Sequence, residues 1–122
     1  MKNKLFIILL CFFSFGFAQE GKVINHIFKG NEKAQEKEYV EAEKAYREAL
    51  SLAPEKAKAL FNLGNTHFLD KKYQEASQRF FQTQKFATSK EDKHKAFHNM
   101  GNVYMQEKDY QQAVEAYKSA LR

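Results

Sequence analysis

The pattern of apolar positions divides the chain into an apolar leader and a series of amphipathic helices. Residues 5–18 carry no charged side chain. Further along, apolar residues recur with helical spacing, most clearly at Leu60, Leu63 and Phe68. Such spacing is typical of an amphipathic helix and differs from the alternation of a strand. The pattern therefore predicts one helix over residues 55–69, a second over 73–86, and a tight polar turn between them.

This hairpin pattern occurs three times. Similar blocks place Tyr39, Tyr73 and Tyr110 at separations of 34 and 37 residues. A Gly-Asn pair precedes each block with the same separations, at residues 30–31, 64–65 and 101–102. Two independent markers agree on the period, which indicates a helical repeat array. The three extra residues of the third unit lie around residues 88–90, where we expect a lengthened connection.

A 34-residue helix–turn–helix unit of this kind resembles the tetratricopeptide repeat (TPR). The third unit matches the family pattern best, through Phe97, Met100-Gly101, Tyr104, Ala113, Tyr117 and Ala120. The resemblance implies an all-α fold, an α-α superhelix or TPR solenoid of three helical hairpins. The repeats span about 23–56, 57–93 and 94–122, the last incomplete. We expect Pro54 at the start of a helix and the repeated glycines where paired helices approach closely.

The N-terminal leader has the pattern of a secretory signal peptide. Two lysines precede 14 uncharged residues, and small residues stand at Gly16 and Ala18. Cleavage after Ala18 would leave residues 19–122 as the TPR domain, exported across the inner membrane and expected in the periplasm. A 14-residue helix is about 21 Å long, short of a bilayer core of about 30 Å. An uncleaved membrane anchor and a lipidated Cys11 stay open as alternatives.

Composition narrows the classes of function. Removal of the leader lowers the formal charge from +5 to +3 and leaves no cysteine. This charge is too small to indicate nucleic-acid binding. No phosphate loop, nucleophile motif or paired-carboxylate signature is present. We therefore expect no enzyme, no cofactor and no metal site.

The resemblance implies that the first helix of each hairpin lines a concave groove that binds a partner protein or peptide. Asparagine amides suit the backbone of an extended peptide, apolar pockets suit its side chains, and lysines favour acidic groups. The repeat register assigns twelve residues to this groove: Ile27, Asn31, Lys58, Phe61, Asn62, Asn65, Phe68, Lys95, His98, Asn99, Asn102 and Met105.

Part of this groove is similar to the family's carboxylate clamp. Asn31, Asn62 and Lys95 match three of the five clamp positions. Ile27 replaces a lysine and Asn99 replaces an arginine at the other two. Asparagine at the matched positions is common in these repeats generally. The register therefore favours a groove without a complete clamp.

A narrower resemblance concerns residues 58–65 and 95–104. Together with the leader, they look like the TPR proteins of the Bat aerotolerance operon of Bacteroidetes-type bacteria. This implies an envelope stress complex with von Willebrand A-type membrane proteins, and membrane association only through such partners. Two alternatives remain: a regulatory subunit of an envelope enzyme, and self-association through Val114, Tyr117 and Leu121 in the last repeat.

Overall fold

The computed structural model describes the backbone of residues 2–122 and the side chains of residues 16–122. In this range the chain forms six α-helices and no strand, which confirms the all-α fold of three hairpins. Each helix packs against the next, and α1 contacts α3 as α3 contacts α5. The first helices therefore form one layer. The helices are α1 (Lys2–Gln35), α2 (Tyr39–Leu52), α3 (Ala57–Leu69), α4 (Tyr73–Phe86), α5 (Lys90–Gln106) and α6 (Tyr110–Ala120).

The leader is continuous with the first hairpin. Helix α1 runs without a break through the predicted cleavage point between Ala18 and Gln19. The candidate lipidation residue, Cys11, lies outside the residues whose side chains are described. Within residues 16–122, no helix combines the length and apolarity that a membrane crossing requires. The division into a leader and a mature domain stays a prediction.

The turn inside each hairpin has the same backbone conformation. Lys37, Lys71 and Lys108 have φ angles of 62°, 61° and 60°, in the left-handed region. In the second hairpin, the N–H of Lys72 donates to the carbonyl of His67 at 2.8 Å. A left-handed residue followed by this hydrogen bond is the Schellman end of a helix. It reverses the chain within three residues, as predicted for residues 70–72.

The repeated glycines lie where an aromatic ring crosses the first helix of each hairpin. A Cβ atom at Gly64 would lie 2.7 Å from Cε1 of Phe80. Gly30 faces Tyr46 and Gly101 faces Tyr117 in the same way. The predicted close approach is therefore confirmed, with the ring as the contact. The Tyr46 and Phe80 rings belong to two apolar clusters: Val23, Ile27, Ala42, Tyr46, Ala49, Ala59 and Leu63; and Ala76, Phe80, Met100, Val103 and Ala116.

Two sequence-based details were wrong. Pro54 lies in the connection between α2 and α3, because α3 begins only at Ala57. The extra residues of the third unit lengthen a helix and not a connection: α5 has 17 residues, whereas α3 has 13. The Ser89 hydroxyl accepts a hydrogen bond from the Asp92 N–H at 3.1 Å. This cap starts α5 about one turn earlier than α3 starts.

Candidate functional site

The first helices of the three hairpins present equivalent residues to one side of the molecule. On α3, Lys58, Asn62 and Asn65 are spaced i, i+4 and i+7, so their side chains share one helix face. The same spacing occurs on α5 and α1. We call these nine residues the groove face: Ile24, Phe28 and Asn31 on α1; Lys58, Asn62 and Asn65 on α3; Lys95, Asn99 and Asn102 on α5.

Hydrogen bonds between asparagines connect the helices of the groove face. Oδ1 of Asn31 accepts from Nδ2 of Asn62 at 2.9 Å, joining α1 to α3. Oδ1 of Asn65 accepts from Nδ2 of Asn99 at 2.9 Å, joining α3 to α5. Oδ1 of Asn102 accepts from the hydroxyl of Tyr117 at 2.6 Å. We call these contacts the amide ladder, and we call the hydrogen bonds to Oδ1 of Asn31, Asn65 and Asn102 its first, second and third rungs. The asparagines therefore hold the hairpins in register before any ligand arrives.

Tyr46 supplies a second donor to the first rung of the ladder. Its hydroxyl donates to Oδ1 of Asn31 at 2.5 Å. Burial raises the pKa of the Tyr46 phenol to about 12, so the hydroxyl stays protonated near neutral pH. In the second hairpin Phe80 occupies the equivalent position and offers no hydroxyl to Asn65. The second rung therefore has one donor where the first has two.

The ladder leaves part of each amide unused. Within the described residues, Nδ2 of Asn31, Asn65 and Asn102 makes no hydrogen bond, although each Oδ1 does. Oδ1 of Asn62 and Asn99 likewise accepts no hydrogen bond from the described residues. The groove face therefore carries both donors and acceptors that suit an extended backbone.

A cavity of about 270 Å³ lies between α3 and α5, beside the groove face. Lys58 makes no ion pair within residues 16–122. Lys95 lies 3.3 Å from Glu91, but both side chains are more than half exposed, so this pair is weak. We call this space the lysine cavity; its lining residues are Ala57, Lys58, Phe61, Asn62, Thr83, Asp92 and Lys95.

Three of the expected groove residues lie one position away from the groove face. Ile27 was expected to line the groove, but its side chain is only 4% exposed and packs in the first apolar cluster. Phe61 lies with its ring centroid 5.6 Å from that of Phe80 and is half-buried. His98 packs its ring 5.5 Å from that of Tyr117 and is exposed, because no further hairpin covers it in the described chain.

Apolar side chains lie at both ends of the groove face. Phe68 is half-buried against Tyr73, and Met105 is 44% exposed at the end of α5. At the opposite end, Ile24 is 53% and Phe28 is 69% exposed. Sequence reasoning missed Phe28. Its repeat position is that of Asn62 and Asn99, so extending the register of these two asparagines to the first hairpin would have found it.

His94 and His98 stand at i, i+4 on α5, the spacing of two histidines in a helical metal site. Within residues 16–122, no group of three or more His, Cys, Asp or Glu side chains is placed to hold a metal ion. The pair at His94 and His98 stands without a third such ligand.

Comparisons with known proteins agree with the helical repeat. A family model described as "Tetratricopeptide repeat" matches residues 94–122, and one described as "TPR repeat" matches residues 30–70. Among curated proteins, none matches the sequence.

Several solved structures share the fold. The N-terminal domain of stress-induced protein-1 (STI-1) from C. elegans is 22% identical, with a TM-score of 0.82 over 85% of both chains. The second TPR of Spaghetti (RPAP3), bound to the HSP90 peptide SRMEEVD, is 22% identical, with a TM-score of 0.75 over 85% of this chain and 95% of that one. YrrB, described as a TPR protein with an unusual peptide-binding site, is 22% identical, with a TM-score of 0.70 over 81% of this chain and 50% of that one.

Proposed function

Because the chain belongs to the tetratricopeptide repeat family, we propose that it is an exported, non-enzymatic scaffold that binds a partner protein along the groove face. The observation that carries this proposal is the amide ladder. It fixes three helices in register and leaves Nδ2 of Asn31, Asn65 and Asn102 unpaired within the described residues. Two structural relatives are described as peptide-binding proteins, which supports an extended peptide segment as the bound element.

The physical advantage of this arrangement is preorganisation. An extended segment loses conformational entropy when it binds, and a flexible binding surface would lose more. The ladder orders the asparagines in the unbound protein, so binding orders chiefly the ligand. The free amides bond its backbone, and the exposed Ile24 and Phe28 contact its side chains.

The proposal places this scaffold in the bacterial envelope. The basic start, the uncharged run to Ala18 and the small residues at its end support export. The likeness of residues 58–65 and 95–104 to Bat aerotolerance proteins supports a stress complex with von Willebrand A-type membrane proteins. The scaffold would then meet the membrane only through those partners. A regulatory subunit of an envelope enzyme would use the same groove.

Self-association is a second candidate function, favoured by the outer face of α6. There Val114 is 49% exposed, Leu121 just after the helix is 86% exposed, and Tyr110 is 58% exposed. Tyr117, which was also expected there, is half-buried and donates to Asn102. The outer face of α1 carries the exposed polar residues Asn25 and Lys29 and is a poor match for this apolar face. A symmetric contact between two α6 helices therefore fits better than head-to-tail stacking.

Site-specific photo-crosslinking tests groove binding. The crosslinking residue p-benzoylphenylalanine replaces Phe28 on the groove face, or Val40 on α2 as a control that is 70% exposed. In cells that express the protein from its own gene, we expect a heterologous adduct from position 28 and none from position 40. The same substitution at Leu121 tests self-association, which predicts an adduct of twice the protein's mass. Adducts from position 40 or 121 alone would contradict groove binding.

Export is tested separately by sequencing the N-terminus of the protein from the cell envelope. We expect Gln19 as the first residue. Ala18→Leu places a large residue at the cleavage site and should block processing. A wild-type protein that keeps Met1, or that stays in the cytoplasm, would contradict the proposed export and leave groove binding unaffected.

A further inference from the structure

The lysine cavity has the size and charge for a single acidic side chain. Its volume is about 270 Å³, below the roughly 300–1,000 Å³ of pockets that enclose small-molecule ligands. Lys58 and Lys95 bring two positive charges to it, and Asp92 brings one negative charge. No described carboxylate lies within ion-pair distance of Lys58. The lining side chains therefore carry a net charge of +1, and Lys58 is the lysine without a described ion-pair partner, since Lys95 lies 3.3 Å from the exposed Glu91.

The apolar end of the groove face lies on the other side of α3 from this cavity. Ile24 and Phe28 are exposed on α1, at the repeat positions that carry Lys58 and Asn62 on α3. The groove face is therefore apolar at its first helix and basic between its second and third. A ligand that fits both parts has an apolar group at one end and an acidic group at the other.

The distance between these two parts sets a spacing in the ligand. Packed helices lie about 8–10 Å apart, so the space between α3 and α5 is about 13 Å from α1. An extended chain advances about 3.3 Å per residue, so about four residues bridge this distance. Resting on the proposed function, we propose that the bound segment is internal to the partner chain, with an acidic side chain in the lysine cavity and an apolar side chain about four positions away on Ile24 and Phe28.

An internal acidic residue fits better than a chain-terminal carboxylate. Ile27 is apolar and buried where the family's clamp has a lysine. Asn99 is uncharged where the clamp has an arginine, and its amide already donates to Asn65. Two of the positive charges that hold a terminal carboxylate are therefore missing. Lys58 and Lys95 remain beside a cavity open to the groove, and a side chain can enter it while the backbone continues in both directions.

A displayed library of random nonapeptides, flanked on both sides by Gly-Ser linkers, tests this inference. The linkers remove any free terminus from the random segment. We expect the wild-type protein to select sequences with Asp or Glu about four positions from a large apolar residue. Selected peptides, made with the linkers and an amidated C-terminus, are then measured by fluorescence anisotropy.

Three variants separate the contributions of the two lysines and of Phe28 to peptide binding. Lys58→Gln/Lys95→Gln should weaken binding of the acidic peptides at least tenfold, since charge-assisted hydrogen bonds are about twice as strong as neutral ones. The same variant should bind a peptide with Gln in place of the acid as well as the wild type does. Phe28→Ser should reduce selection of the apolar residue. Lys44→Gln/Lys118→Gln removes the same charge from exposed positions on α2 and α6, and should bind like the wild type.

The outcomes distinguish the two proposals. Selected peptides without an acidic preference, or with affinities unchanged by Lys58→Gln/Lys95→Gln, would overturn the cavity assignment and leave groove binding intact. Peptides that bind only with a free C-terminal carboxylate would also overturn it, in favour of a clamp. A library that yields no binder to a folded protein, as judged by its circular dichroism, would count against the proposed groove function itself.

Discussion

The side-chain amide of Asn62 on α3 donates a hydrogen bond of 2.9 Å to Oδ1 of Asn31 on α1. The two residues are 31 positions apart and belong to different hairpins. Because Asn31 also accepts from Tyr46 of its own hairpin, this one oxygen joins three helices. The groove surface and the connection between repeats are therefore built from the same side chains.

This relationship predicts a measurable coupling. Asn62→Ala removes the donor, and we expect a loss of about 1 kcal/mol in the free energy of unfolding. In a double-mutant cycle with Asn31→Ala, measured by urea denaturation, the two changes should be less than additive. Asn25→Ala changes an exposed asparagine on the same helix and should have little effect. Strict additivity of Asn31→Ala and Asn62→Ala would show that the bond contributes nothing.

The second rung of the ladder has room for a hydroxyl. Asn65 and Phe80 both line a small cavity of about 150 Å³. Phe80→Tyr should place a hydroxyl near Oδ1 of Asn65, as Tyr117 does for Asn102, and raise the unfolding free energy by about 1 kcal/mol. Tyr117→Phe is the reverse change and should lower it by a similar amount. If Phe80→Tyr lowers stability while Tyr117→Phe leaves it unchanged, the second donor is not stabilising.

Replacement of glycine by alanine should have opposite effects on stability at Gly64 and at Gly21. Gly64→Ala puts a Cβ 2.7 Å from the buried ring of Phe80, and should cost about 1–3 kcal/mol by overpacking. In the uncleaved chain, where Gly21 lies inside α1, a Cβ at Gly21 would meet no side chain and no neighbouring helix within 4 Å, so Gly21→Ala should stabilise the helix by about 0.5–1 kcal/mol. Melting temperatures of the two variants should therefore move in opposite directions. A parallel shift would contradict the packing role of Gly64.

Buried His67 predicts a dependence of stability on pH. Its side chain is 1% exposed, and Nε2 has no hydrogen-bond partner within the described residues. Burial lowers the pKa of the imidazole; Glu43 opposes the shift, and Arg79, Lys72 and Arg47 add to it. Below the unfolded-state pKa of about 6.5 the unfolded chain binds more protons, so stability falls as pH falls.

The measurement compares unfolding free energies at pH 7.5 and 5.5. His67→Phe places an aromatic where the third repeat has Tyr104, and removes the titrating group. We expect this variant to lose less stability on acidification than the wild type. His98→Ala, which removes an exposed histidine, should keep the wild-type dependence. An equal loss in His67→Phe and the wild type would assign the pH effect to other groups.

Local sequence signals predicted the helices and turns of the repeat well, because these elements depend on residues that are only a few positions apart. Helical periodicity identified the helix at 73–86 with the bounds the structure has, and the polar residues 70–72 identified the turn. The lengthened connection expected around residues 88–90 was wrong, because Ser89 caps α5 there. An insertion before a good N-cap extends the following helix, since the cap satisfies backbone donors that would otherwise end it. Pro54 was misplaced because its backbone restriction suits a turn as well as a first helical turn.

The groove was only partly predictable, because adjacent residues on a helix differ by about 100° in direction. Ile27 and Phe28 are consecutive, yet one is 4% and the other 69% exposed. Apolar character does not distinguish them. Tertiary packing does, since Ile27 lies in the apolar cluster with residues of α2 and α3, such as Tyr46 and Leu63, whereas Phe28 lies outside it. The sequence alone determined that three helical hairpins repeat. The stacking of one hairpin on the next decided which side chains form the core and which remain to bind a partner.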